Sequence, residues 1–104
     1  MGIRKKSKAI KFLEKISGGP LTFARIIRAN RLGEGYSQTE MAKILKISKA
    51  QLCDLEKGRR GISPEKAAEF ARALGKSEKF WVKIALQEQL DKAGLKMTVQ
   101  IEAA

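Results

Sequence analysis

The side chains able to do chemistry in this chain are cations and amides rather than nucleophiles. Lys49, Gln51, Asp54, Lys57, Arg59 and Arg60 stand close together in the sequence, with Arg28, Gln38 and Lys43 upstream. Such groups make hydrogen bonds and neutralise anions; they do not break bonds. The 104 residues include no His and one Cys, Cys53, which excludes a His-based triad, a His metal site, a Cys metal cluster and an intrachain disulfide. A thiol nucleophile needs a base, and no His can serve Cys53, so it reads as an inert helix residue, with an oxidation switch as the outside alternative. No acid, base or nucleophile constellation converges, so neither an enzyme nor a cofactor is expected.

Charge points the same way. Lys and Arg number 22 against 11 Asp and Glu, giving +11 and a pI near 10.1. Residues 1–60 hold fifteen of the cations and five of the carboxylates, whereas residues 61–104 hold seven and six. One half can meet a polyanion while the other is nearly neutral, which favours nucleic acid over an anionic membrane. No apolar run approaches the roughly 20 residues that span a bilayer. The basic start Met1–Lys8 is followed by neither an apolar stretch nor a small-residue cleavage site, so a secretory signal is not expected and a cytoplasmic location is.

The elements that position these residues are punctuated by caps. The first sixteen or so residues read as a basic amphipathic helix carrying Ile10, Phe12, Leu13 and Ile16, stopped by Gly18-Gly19-Pro20. Thr22 caps a helix to about Leu32 with Phe23, Ile26 and Ile27 as its stripe, ended by Gly33 and Gly35. Ser37-Gln38-Thr39-Glu40 is a capping box opening a short helix to about Leu45, with Met41, Ile44 and Leu45 inward. Three residues later Ser48-Lys49-Ala50-Gln51 opens another to about Lys57, with Leu52 and Leu55 as its core pair and Gly58 at a left-handed cap. Ser63-Pro64-Glu65 starts a helix with Ala67, Ala68, Ala71 and Leu74, ending at Gly75. Ser77 caps the last, through Phe80, Trp81, Ile84 and Leu90 to Gly94. Then Leu95, Met97, Val99 and Ile101 alternate with polar residues, the period of a half-buried strand. With no second strand elsewhere, its natural partner is the same strand of a second copy, so these four residues are the expected dimerisation edge. The organisation is thus a basic helical appendage (1–19), a central helical domain (20–94) and a C-terminal strand (95–104).

Two short capped helices joined by Lys46-Ile47-Ser48 form a helix-turn-helix unit. Leu21 to Leu74 resembles the Xre/Cro/lambda-repressor-like family. The likeness rests on Ser37–Leu45, Ile47-Ser48, Leu52, Leu55–Gly58, the upstream Arg28 and Arg31, and Ile62–Ala67. The resemblance implies an all-α five-helix DNA-binding domain with its third core helix in the major groove of duplex DNA. Lys49, Ala50, Gln51 and Asp54 would then face base edges: Lys49 towards guanine, Gln51 towards adenine, Ala50 towards a thymine methyl, and Asp54 towards cytosine or as a selectivity element. Gln38, at a helix N-terminus, would meet a phosphate, as would Lys57, Arg59 and Arg60, with Arg28 and Lys43 in support. Arg31 matches a family Arg that pairs with the residue found here as Glu56. Lys46 stands where the family usually has Gly, in a turn that wants positive φ.

The stretch from Gly58 through Phe80-Trp81 also resembles antitoxins of the HigA/VapI type. Two functions follow. One is a sequence-specific transcriptional regulator, a dimeric repressor on a near-palindromic operator. The alternative is an antitoxin that neutralises a toxin protein by direct binding and autoregulates its operon, offering Ile3–Ile16 to that partner. A bridging coactivator of the same fold fits the tail and composition less well.

Overall fold

The computed structural model describes residues 21–102. The amphipathic helix expected for the first sixteen residues lies outside them. Five helices follow: α1 (Phe23–Glu34), α2 (Gln38–Leu45), α3 (Lys49–Glu56), α4 (Pro64–Ala73) and α5 (Glu78–Lys92). Each begins at a Ser or Thr whose hydroxyl accepts the N–H three residues on, at 3.0–3.2 Å. In α2 and α3 the bond is returned. Glu40 accepts the Ser37 N–H at 3.0 Å and Gln51 accepts the Ser48 N–H at 2.9 Å, so both capping boxes read from the sequence are formed.

The helix ends share one closure. A residue in the left-handed region follows the last turn, and the next N–H bonds a carbonyl five residues back, as in Ile47 to Ala42 at 3.0 Å and Arg59 to Asp54 at 2.9 Å. Gly35, Gly58, Gly75 and Gly94 supply the left-handed residue in four helices, but α2 uses Lys46 at φ 57°. It is the one non-glycine with positive φ among the described residues. The turn is left-handed as expected, and Lys46 bears the strain, of about 1–2 kcal/mol.

Helices α1, α2 and α3 wrap one side of the core, and α4 and α5 pack as a pair on the other. Ile27, Met41 and Leu52 are fully buried at the centre. The Phe23 ring meets Trp81 edge-on at 5.5 Å, and the Phe23 N–H donates to Glu88 Oε1 at 2.6 Å, tying the start of α1 to α5. Small Ala67, Ala71 and Ala85 are buried in the core alongside Phe70, which lets α4 and α5 pack closely.

The strand expected over 95–104 is not formed; no strand occurs among the described residues. Gly94 turns the chain off α5, and the Met97 N–H closes a tight turn onto the Leu95 carbonyl at 2.9 Å, which breaks the extended geometry a ladder needs. Gln87 of α5 then does what a neighbouring strand would: its Nε2 donates to the Met97 carbonyl at 2.8 Å and its Oε1 accepts the Val99 N–H at 2.9 Å. Leu95 and Met97 are 44% and 59% exposed, and Val99 and Ile101 are half-buried, so the four do not form one edge. The all-α part of the expectation stands; a strand at Leu95, Met97, Val99 and Ile101 as the dimerisation element does not.

Candidate nucleic-acid interface

Helix α3 buries Leu52 and Leu55 and leaves Lys49, Ala50 and Gln51 exposed in its first turn. The box that fixes this turn also engages Gln51: its Oε1 holds the Ser48 N–H, leaving Nε2 as the group free of the cap. A bidentate grip on adenine would need Oε1 as well. The sequence contained both readings of Gln51, and the box is formed without DNA.

The far end of α3 is anchored from behind. Arg31 Nε and Nη2 meet Glu56 Oε2 and Oε1, each at 2.8 Å, a bidentate pair in which the carboxylate is 4% and the guanidinium 14% exposed. Arg31 Nη1 also donates to the Tyr36 carbonyl at 3.3 Å. One side chain from α1 therefore holds the approach to α2 and the end of α3 together. The hydrogen bonds that its guanidinium donates to Glu56 raise the Arg31 pKa above its ordinary value. This is the structural role that the resemblance implied for Arg31.

Gln38 sits on the same network. It is half-buried at the first position of α2, and its Nε2 lies 3.5 Å from Glu56 Oε1, so its amide leans towards the ion pair. Asp54, half-buried on α3, faces Arg59 Nη1 at 3.7 Å. The expected cytosine acceptor and an expected phosphate donor are thus one loose ion pair, placed together because the closure after Gly58 folds Arg59 back on α3. Lys57 is exposed at the end of α3. Arg60 lines a cleft of about 130 Å³ with Thr22, Gly58, Glu88 and Lys92, beside the start of α1 and the end of α5. Arg28 on α1 and Lys43 on α2 are exposed. Sequence reasoning missed Glu88 and Gln87; their partners, a backbone N–H 65 residues away and a tail with no regular structure, left no local signal.

A helix-turn-helix family model matches residues 27–81, just over half of the chain, including both boxed helices and the Arg31–Glu56 pair. The chain belongs to the helix-turn-helix family, of the Xre/lambda-repressor type. Virulence-associated protein A′ of Dichelobacter nodosus is 31% identical over 70 residues, 66% of this chain. The chain spans 61% of the length of that relative. Two solved structures are similar. The hypothetical transcription factor NHTF from Neisseria has 25% identity and a TM-score of 0.52, over 68% of this chain and 79% of that one. The clp gene regulator ClgR from Corynebacterium glutamicum has 28% identity and a TM-score of 0.52, over 69% and 77%. Among the described residues no helix is long and apolar enough to cross a membrane.

Proposed function

We propose that this protein is a sequence-specific DNA-binding transcriptional regulator that lays the first turn of α3 in the major groove of duplex DNA. The observation that carries this reading is the exposed Lys49-Ala50-Gln51 turn on a helix whose other end is locked by the buried Arg31–Glu56 pair. A rigid helix with a polar, cationic leading edge on a chain of +11 charge suits groove reading. Lys49 and Ala50 read base edges directly. Gln51 contributes Nε2 while its Oε1 keeps the cap, and Asp54 sets selectivity. Lys57, Arg59 and Arg60 meet phosphates, with Gln38, Arg28 and Lys43 at the margins. The protein acts as a dimeric repressor whose two α3 helices enter major grooves about 34 Å apart on a near-palindromic operator.

Selection of bound fragments from random duplex DNA tests this. The expected product is a short, near-palindromic site, bound with steep salt dependence. Lys49→Ala should relax preference at one base position by about 1–3 kcal/mol, whereas Arg59→Ala should weaken selected and random DNA alike. Equal losses for Lys49→Ala on both kinds of DNA would refute the assignment of α3.

A second reading is an antitoxin that binds a toxin protein and autoregulates its operon. It is supported by the likeness of residues 58–81 to HigA/VapI-type antitoxins and by the similarity to a virulence-associated protein. Rescue of growth arrest caused by a small ribonuclease-like protein, with a stoichiometric complex of the two, is the outcome that would carry it.

A further inference from the structure

The cap that opens α3 uses only half of the amide it takes from Gln51. Oε1 accepts the Ser48 N–H at 2.9 Å, and the Gln51 N–H donates in turn to the Ser48 hydroxyl at 3.0 Å. The two bonds hold the side chain at both ends and turn its oxygen back onto the backbone at the start of the helix. The nitrogen, on the other arm of the amide, has no partner among the described residues, and the side chain is exposed. An amide nitrogen carries two hydrogens and accepts nothing. The neighbouring side chains supply no free acceptor either. Lys49 ends in an ammonium that only donates, Ala50 offers a methyl group, and Asp54 faces Arg59 Nη1 at 3.7 Å. The leading turn of α3 is therefore an edge of hydrogen-bond donors.

We infer that Gln51, through Nε2 alone, reads a guanine and discriminates against adenine, the base that an uncapped glutamine grips. This rests on the proposed docking of α3 in the major groove. Guanine presents N7 and O6 side by side, two acceptors for the two hydrogens of one amide nitrogen. Thymine offers O4 alone, beside a methyl group. Adenine sets an N6 amino group next to its N7, and cytosine an N4 amino group. Either amino group meets Nε2 donor to donor unless Oε1 leaves the Ser48 N–H to accept from it. Leaving takes from that N–H the hydrogen bond that closes the box. Adenine is thus read at the expense of the cap, whereas guanine is read with the cap in place. The adenine expected for Gln51 from residue type alone gives way to guanine because the helix start has already taken the oxygen.

The test is selection from random duplex DNA with the full chain and with Gln51→Ala. The base pair that Gln51 contacts is the one whose preference disappears in the variant while the preference set by Lys49 remains. Guanine is expected there, bound about tenfold more tightly than adenine at fixed salt. Placing 7-deazaguanine at that position, which removes the N7 acceptor, should weaken binding of the natural chain and leave Gln51→Ala unaffected. Because alanine also removes the cap, a second variant keeps it. Gln51→Glu retains an oxygen on the Ser48 N–H and puts an acceptor where Nε2 stood, so the preference should move to cytosine or adenine, whose amino groups donate. Adenine or any other base in place of guanine for the natural chain, or guanine retained by Gln51→Glu, overturns the inference. If Lys49→Ala relaxes one position and Gln51→Ala relaxes none, the inference falls while the proposed function stands. If no site is selected at all, both fall together.

Discussion

The Arg31–Glu56 pair offers the sharpest quantitative test of how the reading helix is held. Consider Arg31→Met, which keeps the aliphatic stem and removes the guanidinium. Both short hydrogen bonds disappear, and Glu56, with a side chain only 4% exposed, keeps a single long contact to Gln38 Nε2 at 3.5 Å. Breaking a buried pair from one side costs about 3–5 kcal/mol, because the remaining charge is desolvated without compensation. For a domain of this size each kcal/mol lowers the melting temperature by about 4–8 °C, so a fall well above 10 °C is expected by calorimetry or circular dichroism. Replacing both partners, Arg31→Met with Glu56→Leu, removes the orphaned charge and should recover most of that loss. A loss below about 1 kcal/mol for Arg31→Met, the size of an exposed pair, would refute the reasoning. So would a double variant no better than the single one.

Other consequences follow from single contacts. Lys46→Gly relieves left-handed strain of about 1–2 kcal/mol at an entropic cost of about 0.5–1 kcal/mol, so the melting temperature should rise by a few degrees. If DNA affinity falls at the same time, the Lys46 ammonium is a phosphate contact. The Glu40 pKa is lowered because its carboxylate accepts the Ser37 N–H. Its contribution is therefore present above the unfolded-state pKa and is lost as the pH falls through the lower folded value, and Glu40→Ala should flatten the acid limb of the stability curve. Gln51→Glu keeps the capping box but replaces the Nε2 donor with a carboxylate oxygen; base preference at one position should shift in a selection experiment, with the melting temperature little changed. Gln87→Ala removes both clamps on the tail, so hydrogen exchange at Val99 should accelerate while exchange in α1–α3 stays the same.

What the sequence determined by itself is the set of interactions that close within about five residues. The Ser37–Glu40 and Ser48–Gln51 boxes, the Ser63-Pro64 start and the left-handed closures at Gly58 and Gly94 each involve groups held near one another by the covalent chain, so residue type and spacing suffice to specify them. The inward stripes of α1 and α3 were equally legible, because a helical period admits one apolar face for a helix with one neighbouring layer. The Arg31–Glu56 pair was legible only through family resemblance, since nothing local links residues 25 apart. The alternation from Leu95 to Ile101 satisfies the local rule for a strand, but a strand exists only where a second backbone meets it, and Gln87 met this one first. Tertiary structure likewise decided that Asp54 and Arg59 share their charges and that Gln38 leans on Glu56 instead of pointing free. Each of these depends on which surfaces are brought together across the fold. Packing decides that, at distances in sequence over which residue spacing carries no information.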